Sequence, residues 1–430
     1  MCPNQQKRLT VYSRRRAMRL AYWNGAVWAI GNGLASTTLV FYLAMELNVP
    51  RLGLGIGFIL AAPNLAGVLR MAAPALIGRL ADRKLFCIVT YLCSAVVLAG
   101  LPILAAPGRL RSPVASLSAL VVLWCLYHLL QYAGTIALWS WLADLVPLRI
   151  RGRFIGIRQR WMLSGTAPAM LCAGLFAWRW KETQPEPTWW MAYAIPAVIG
   201  ALFMVAAIVP LLSMPRVAAG EIVRSGATLR SFVAPFVDRR FLGLLAFGCW
   251  FSFFNGVTQS AQYVYACDVL AFSLLAMLVM QTGMRLGQLA ISPRMGQLAD
   301  KLGNRPVMAV SLLLVSSGPL FYYFATPAHR WWLAGAWVAW IAYAGLNVCL
   351  PNLMLKLSPQ RSNTPYIATY FAITGLCYAA STIIGGWLFD EYAESMGPVF
   401  YDYCFLFGWI TRSFGVVVLL LMVKRDHNDV

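Results

Sequence analysis

Three arginines, Arg70, Arg285 and Arg412, stand inside long apolar runs that hold no aspartate or glutamate near their centres. A guanidinium in such a run is costly, so it marks a functional position until a structural partner accounts for it. Arg70 lies eight residues before Gly78, about 12 Å along a helix, and Arg285 eleven residues before Gly296, about 16 Å. Two guanidiniums facing one cavity would hold a carboxylate or phosphate by paired hydrogen bonds. Uncharged polar groups share these runs. Asn32, His128, Gln131, Asn255, Gln259 and Asn347 are candidates for a hydrogen-bonding pocket, and Asn24, Asn64, Gln262 and Gln281 lie in the runs as well. Each is also of a kind that joins neighbouring helices. Trp23, Trp28, Trp124 and Tyr132 are candidate walls. Glu46, Asp144, Asp268, Asp390 and Asp402 fall at run ends, which disfavours proton coupling through a buried carboxylate. His128 is then the candidate proton carrier, with a plain hydrogen-bonding role as the simpler reading.

Other chemistries find no footing. The three histidines, His128, His329 and His427, are far apart, and no nucleophile, base or paired-carboxylate constellation surrounds them, so an enzyme is not expected. Cys87, Cys93, Cys125, Cys172, Cys249, Cys349 and Cys377 lie in apolar runs without a CxxC pair, which suits packing rather than metal or disulfide chemistry. No metal or cofactor is expected. The net charge of +20 would suggest nucleic acid in a soluble protein, but no basic groove interleaved with aromatics occurs.

The elements that must position these groups follow from composition. Of 430 residues, 60% are hydrophobic and 12% charged, too little charge to cover a soluble surface. Runs of about 20 apolar residues predict spans at 20–46, 54–78, 85–106, 114–147, 153–178, 188–213, 241–266, 270–293, 306–326, 331–357, 364–389 and 398–423. The fourth is long enough for its end to project beyond the bilayer. Basic residues gather in alternate connections, at Arg79, Arg83 and Lys84, at Arg149, Arg151 and Arg153, at Arg216 to Arg240, at Arg294, Lys301 and Arg305, and at Lys356 and Arg361. The last opposite connection is acidic, with Asp390, Glu391 and Glu394. This asymmetry predicts cytoplasmic termini in an inner, cytoplasmic membrane. The apolar stretch after the basic residues 1–19 is too long for a signal-peptide core. The expected organisation is a basic N-terminus over 1–19, a six-helix bundle over 20–213, a cytoplasmic linker over 214–240, a second bundle over 241–423 and a tail over 424–430.

The two halves repeat one another. Asn32-Gly33 recurs as Asn255-Gly256, Gly78-Arg-Leu-Ala-Asp82 as Gly296-Gln-Leu-Ala-Asp300, and Tyr132-Ala-Gly134 as Tyr343-Ala-Gly345, at offsets of 223, 218 and 211 residues. Parallel repeats of this kind are a transporter design. The loops GRLADRK at 78–84 and GQLADKLGNR at 296–305, and the run DLVPLRIRGRFIGIR at 144–158 with Arg151, Arg153 and Arg158, resemble those of the major facilitator superfamily of bacterial type. The second loop is the fuller match, with Gly303 and Arg305 in place. In the first, Leu85 and Phe86 stand where the family has Gly-Arg. The resemblance implies an all-α fold of twelve transmembrane helices in two pseudo-symmetric bundles. It implies that Asp82 and Asp300 cap helices of the opposite bundle, that Arg83 pairs with Asp144, and that the first, fourth, seventh and tenth helices line a central cavity. Charged contacts of this sort suit a gate, being strong when dry and replaceable by water when open.

The expected function is therefore a secondary transporter of a small organic solute working by alternating access, with a weak preference for an anion drawn from Arg70 and Arg285. A receptor or scaffold that has lost transport is the alternative, and proton-linked efflux of a drug or neutral solute is a remoter one. The expected partners are the solute and the lipid bilayer, with the protein as a monomer and the coupling ion open.

Overall fold

The computed structural model describes residues 10–49, 52–69, 82–104, 106–146, 151–216, 229–357 and 363–422. Those residues form helices α1 (Val11–Leu34), α2 (Thr37–Met45), α3 (Leu52–Gly67), α4 (Arg83–Leu104), α5 (Pro113–Leu145), α6 (Arg151–Thr183), α7 (Met191–Ala206) and α8 (Ile208–Leu212), then α9 (Leu229–Val237), α10 (Arg239–Gly256), α11 (Gln259–Val264), α12 (Leu274–Leu302), α13 (Asn304–Ser316), α14 (Gly318–Phe324), α15 (Trp332–Ala339), α16 (Tyr343–Leu357), α17 (Asn363–Met396) and α18 (Pro398–Met422). Lipid offers no hydrogen bonds, so an apolar segment must satisfy its backbone internally, and a helix does so. Eleven stretches of the described residues are long and apolar enough to cross a membrane, and Leu52–Gly67 is a twelfth, shorter apolar helix. The twelve expected spans and the all-helical fold are both present.

Helix ends differ from the hydropathic ones. The first span begins at Val11, inside the segment read as a basic tail, and the eighth runs to Leu302 rather than to 293. Hydropathy finds the apolar stretch of a helix and stops where arginines begin, although the hydrogen-bonded backbone continues. Local signals set the true ends. Thr10 accepts from Ser13 N at 3.2 Å at the start of α1, Ser112 accepts from Ala115 N at 3.1 Å ahead of Pro113 in α5, and Asp238 accepts from Arg240 N at 3.0 Å at the start of α10. The stretch read as a linker holds α9 within it, and residues 217–228 lie outside the described ones.

Contacts divide the chain into two compact units, Met1–Leu47 with Ala72–Gly226, and Asn48–Met71 with Ala227–Val430. In the first, α1 packs against α6 and α7, and α4 against α5 and α7. Its core gathers Ala21, Cys87, Leu138, Trp141, Leu142, Phe154 and Leu211, and the buried Trp141 ring donates its N–H to Pro215 O at 3.1 Å. In the second, α10 packs against α17 and α18, and α13 against α16 and α18, around Phe241, Leu244, Phe247, Met308, Leu312, Cys349, Tyr366 and Leu419.

Helix α3 comes from the first half of the sequence and packs along α17 in the second unit. Glycines make that approach possible. A Cβ on Gly57 would lie 2.5 Å from Thr382 O, and one on Gly53 would lie 2.7 Å from Gly386 O. Between apolar helices in lipid, association comes from such close backbone packing. The Asp390 carboxylate, on α17, completes the contact by accepting from Gly53 N at 2.7 Å and Leu54 N at 2.8 Å, two of the free donors at the start of α3.

Candidate functional site

The seventh span is broken. Helix α10 ends at Gly256 and α11 starts at Gln259, just past the Asn255-Gly256 pair. The break frees carbonyls that an unbroken helix would use, and Arg412 of α18 takes them. Its Nε donates to Phe254 O and its Nη2 to Asn255 O, each at 3.1 Å, and Nη2 also donates to the Thr258 hydroxyl. Arg412 is fully buried, so these acceptors are what holds its charge inside the unit. The span then widens into a π-helical turn over Tyr265–Val269, a feature often found beside functional sites. The first span breaks at the same place in the repeat. Helix α1 ends at Leu34, one residue past the Asn32-Gly33 pair, and α2 restarts at Thr37 with Ser36 accepting from Leu39 N at 3.4 Å.

The tenth span is interrupted too, by a single 3-10 turn over Trp340–Ala342 between α15 and α16. Gln288 of α12 donates to the Trp340 carbonyl at 3.0 Å. Beside the breaks in spans seven and ten lies a cavity of about 140 Å³. Four amides line it, Asn255, Gln259, Gln262 and Gln281, together with Tyr263, Tyr322, Trp337, Trp340 and Tyr343 and the methionines Met277 and Met284. An amide both donates and accepts, and aromatic faces supply flat apolar walls. Part of this capacity is committed, since Tyr343 OH donates to Asn255 Oδ1 at 3.5 Å and Gln262 Nε2 donates to Thr258 Oγ1 at 3.4 Å. The lining carries no charged side chain. It suits a polar, hydrogen-bonding molecule with an apolar face.

Of the candidate pocket residues, Asn255 and Gln259 line this cavity, together with Gln262 and Gln281. Arg285 lies one helical turn beyond Gln281 on α12. Its side chain is exposed rather than buried, and it interacts electrostatically with Tyr263 of the cavity wall. Asn347 is exposed on α16 and is not among the lining residues. Arg70 and Gly78 lie outside the described residues. Sequence reasoning missed Tyr263, Trp337 and Trp340, because aromatic residues in an apolar helix do not stand out. The signal that could have found them is their place beside the span-breaking Asn-Gly pair and the span-ten turn.

In the first unit Asn32, His128 and Gln131 are half-buried, and no hydrogen bond joins them among the described residues. His128 belongs to an aromatic cluster, 4.4 Å from the Trp124 ring and 4.9 Å from Tyr127, with its Nε2 buried and without a partner. Of the expected walls, Trp124 is buried in that cluster, and Trp23 is exposed, its ring tilted by 40° against that of Trp161 at 5.6 Å.

The loop residues hold helix ends. Asp82 accepts from Leu85 N at 3.1 Å, at the start of its own helix α4, and pairs with Arg216 at 3.3 Å. Arg83 is buried and donates to the Ser140 hydroxyl at 2.8 Å and to Ser140 O at 3.2 Å. The side chains of Asp144, Arg151 and Arg153 lie outside the described ones. Lys84 donates to Leu212 O at 2.7 Å and Met214 O at 2.8 Å, at the end of the sixth span. In the second unit Arg305 donates to Leu420 O at the end of the twelfth. The two cations therefore cap equivalent helix ends, each favoured there by the helix dipole. Lys84 supplies the contact for which the first loop has no arginine. Gly296 is half-buried with only Val348 near it, and Asp300 and Lys301 are exposed at the end of α12, where Gly303 turns the chain at φ 87°.

Among the described residues no group of three or more His, Cys, Asp or Glu side chains could hold a metal. The family model of the Major Facilitator Superfamily matches residues 279–429. No curated protein matches the chain in sequence. Several solved structures share its fold over nearly the whole length. A mutant of the nucleoside transporter NupG superposes with a TM-score of 0.68 at 17% identity, covering 96% of this chain and 100% of that one. A D-xylose-proton symporter gives 0.66 at 15% identity, covering 95% and 98%. The inward-open xylose transporter XylE from E. coli gives 0.65 at 14% identity, covering 96% of each. At these identities the likeness speaks for the fold, and the family model matches 151 of the 430 residues. The chain thus has the fold of these structures, resembles the Major Facilitator Superfamily over residues 279–429, and carries apolar helices enough to pass through a membrane many times.

Proposed function

We propose that this protein carries a small polar organic solute across the inner membrane by alternating access, and that the cavity of the second unit is part of the binding site. The observation that carries the reading is the placing of four amides and five aromatic side chains around about 140 Å³, beside breaks in two spans. Discontinuous helices put polar backbone and side chains where lipid would forbid them, which is how transporters build substrate sites. A nucleoside and D-xylose, named for two structures of this fold, are solutes of the kind that amides and aromatic walls would recognise. The Asp390 contact with α3 supports a cycle of states, since two charge-assisted hydrogen bonds over a glycine seam can break and re-form. Both termini lie in the cytoplasm, as the charge asymmetry suggests.

One observation favours a solute that also carries negative charge. Arg285 is exposed beside Tyr263, and no described carboxylate pairs with it. The test is thermal unfolding of the purified protein with neutral, anionic and cationic metabolites, run in parallel on Gln259→Ala and Arg285→Gln. A bound ligand raises the melting temperature. Stabilisation by neutral compounds that is lost in Gln259→Ala supports the cavity, and stabilisation by anions lost in Arg285→Gln supports the charged solute. Ligands that stabilise both variants as they do the parent would remove the cavity from the site.

A further inference from the structure

Arg158 sits at the start of the fifth span, where sequence reading makes it one of a group of cytoplasmic loop cations. The structure buries it, leaving 7% of the residue exposed. Its guanidinium stacks on the Trp139 ring at 5.1 Å, and Nη1 donates to the Met162 thioether sulfur at 3.1 Å. A thioether is a weak acceptor. The Nε N–H is buried with no acceptor at all. No carboxylate pairs with Arg158 among the described residues, and the ion pairs of this unit are Lys181 with Glu46, Arg179 with Glu182 and Arg216 with Asp82. Among the described residues the Tyr91 phenol interacts with it electrostatically, and the Tyr91 hydroxyl lies 3.1 Å from that of Thr135.

The internal repeat shows that packing does not require this charge. A Cβ on Gly25 of α1 would meet Arg158 and Met162 of α6, each at 3.3 Å. In the second unit a Cβ on Gly248 of α10 would meet the Tyr370 hydroxyl and Thr374 of α17. Gly25 and Gly248 are 223 residues apart, the offset of the Asn-Gly pairs, and both Arg158–Tyr370 and Met162–Thr374 are 212 apart. The same space beside the first helix of the repeat is therefore filled by a neutral tyrosine in one unit and by a buried, under-bonded arginine in the other. An arginine has five N–H donors, and a buried charge that leaves them unused lowers stability. A ligand that accepts from them would restore it.

We propose that Arg158 is an anion-binding residue, and that it takes the carboxylate or phosphate group of a small soluble anion, with the Tyr91–Thr135 hydroxyl pair as its polar surroundings. This site goes beyond the cavity of the second unit and does not depend on it.

The experiment measures the melting temperature of the full-length protein in a maltoside detergent, which carries no anion of its own. Succinate and inorganic phosphate are titrated separately against chloride at constant ionic strength. The variants are Arg158→Tyr and Arg158→Lys. Arg158→Tyr copies the second repeat and is expected to fold. A saturable rise with at least one probe is expected in the parent. Its apparent Kd should weaken by about tenfold or more in Arg158→Tyr, from the loss of charge-assisted hydrogen bonds. Arg158→Lys should fall between, since it keeps the charge and loses the planar fork. No saturable rise with either probe in the parent, or an unchanged Kd in Arg158→Tyr, would overturn the assignment.

Discussion

Replacing Asp390 by alanine probes the contact that holds α3 in the second unit. The first N–H groups of a helix have no acceptor within it, and for Gly53 and Leu54 the acceptors are the two oxygens of Asp390, at 2.7 and 2.8 Å. Gly53 lets the carboxylate come that near, since a Cβ there would lie 2.8 Å from Asp390 Oδ1 and 2.6 Å from Phe389. A hydrogen bond to a charged group contributes about 1.5–3 kcal/mol. Asp390 is half-buried and water would replace part of each bond, so the pair together contributes about 2 kcal/mol. That corresponds to about a thirtyfold change in an opening equilibrium. Hydrogen exchange of a peptide covering 52–67 reads it directly, because backbone amides exchange through such local opening. Asp390→Ala should speed exchange of the first two amides by about thirtyfold, and Asp390→Asn, which keeps one acceptor oxygen without the charge, by less. Amides deep in α13 should not change. Unaltered exchange at Gly53 and Leu54 in Asp390→Ala would show that the carboxylate is not what protects them, and the clasp would have to be abandoned.

Two further substitutions test how helix ends and breaks are held. Arg412→Met should strand the carbonyls of Phe254 and Asn255, costing about 3 kcal/mol, and should appear as a lower melting temperature with a loss of ligand stabilisation at the neighbouring cavity. Lys84→Met should cost about 1 kcal/mol by uncapping the sixth span at Leu212 and Met214, and Lys84→Arg should restore most of the melting temperature if capping is its role.

What the sequence by itself determined is the part that lipid dictates one residue at a time. An apolar segment in a bilayer must be helical and a charged loop must face one side, so the spans and the duplication could be read from hydropathy, arginine placement and the recurring Asn-Gly and Gly-x-Leu-Ala-Asp pairs. Asn255 and Gln259 were legible for the same reason, because an amide in an apolar run is expensive anywhere on the helix. Which face of a helix a residue occupies, and what lies opposite, is another matter. Depth along the chain placed Arg285 in the interior and Arg158 in a loop, whereas neighbouring helices leave the first exposed and bury the second. Lys84 takes over a capping contact because its ammonium reaches the end of another helix, a distance of no consequence to the local sequence. Helix α3 leaves the half of the chain that encodes it because Gly53 and Gly57 fit against Thr382 and Gly386, and a fit between two backbones exists only once both helices are in place.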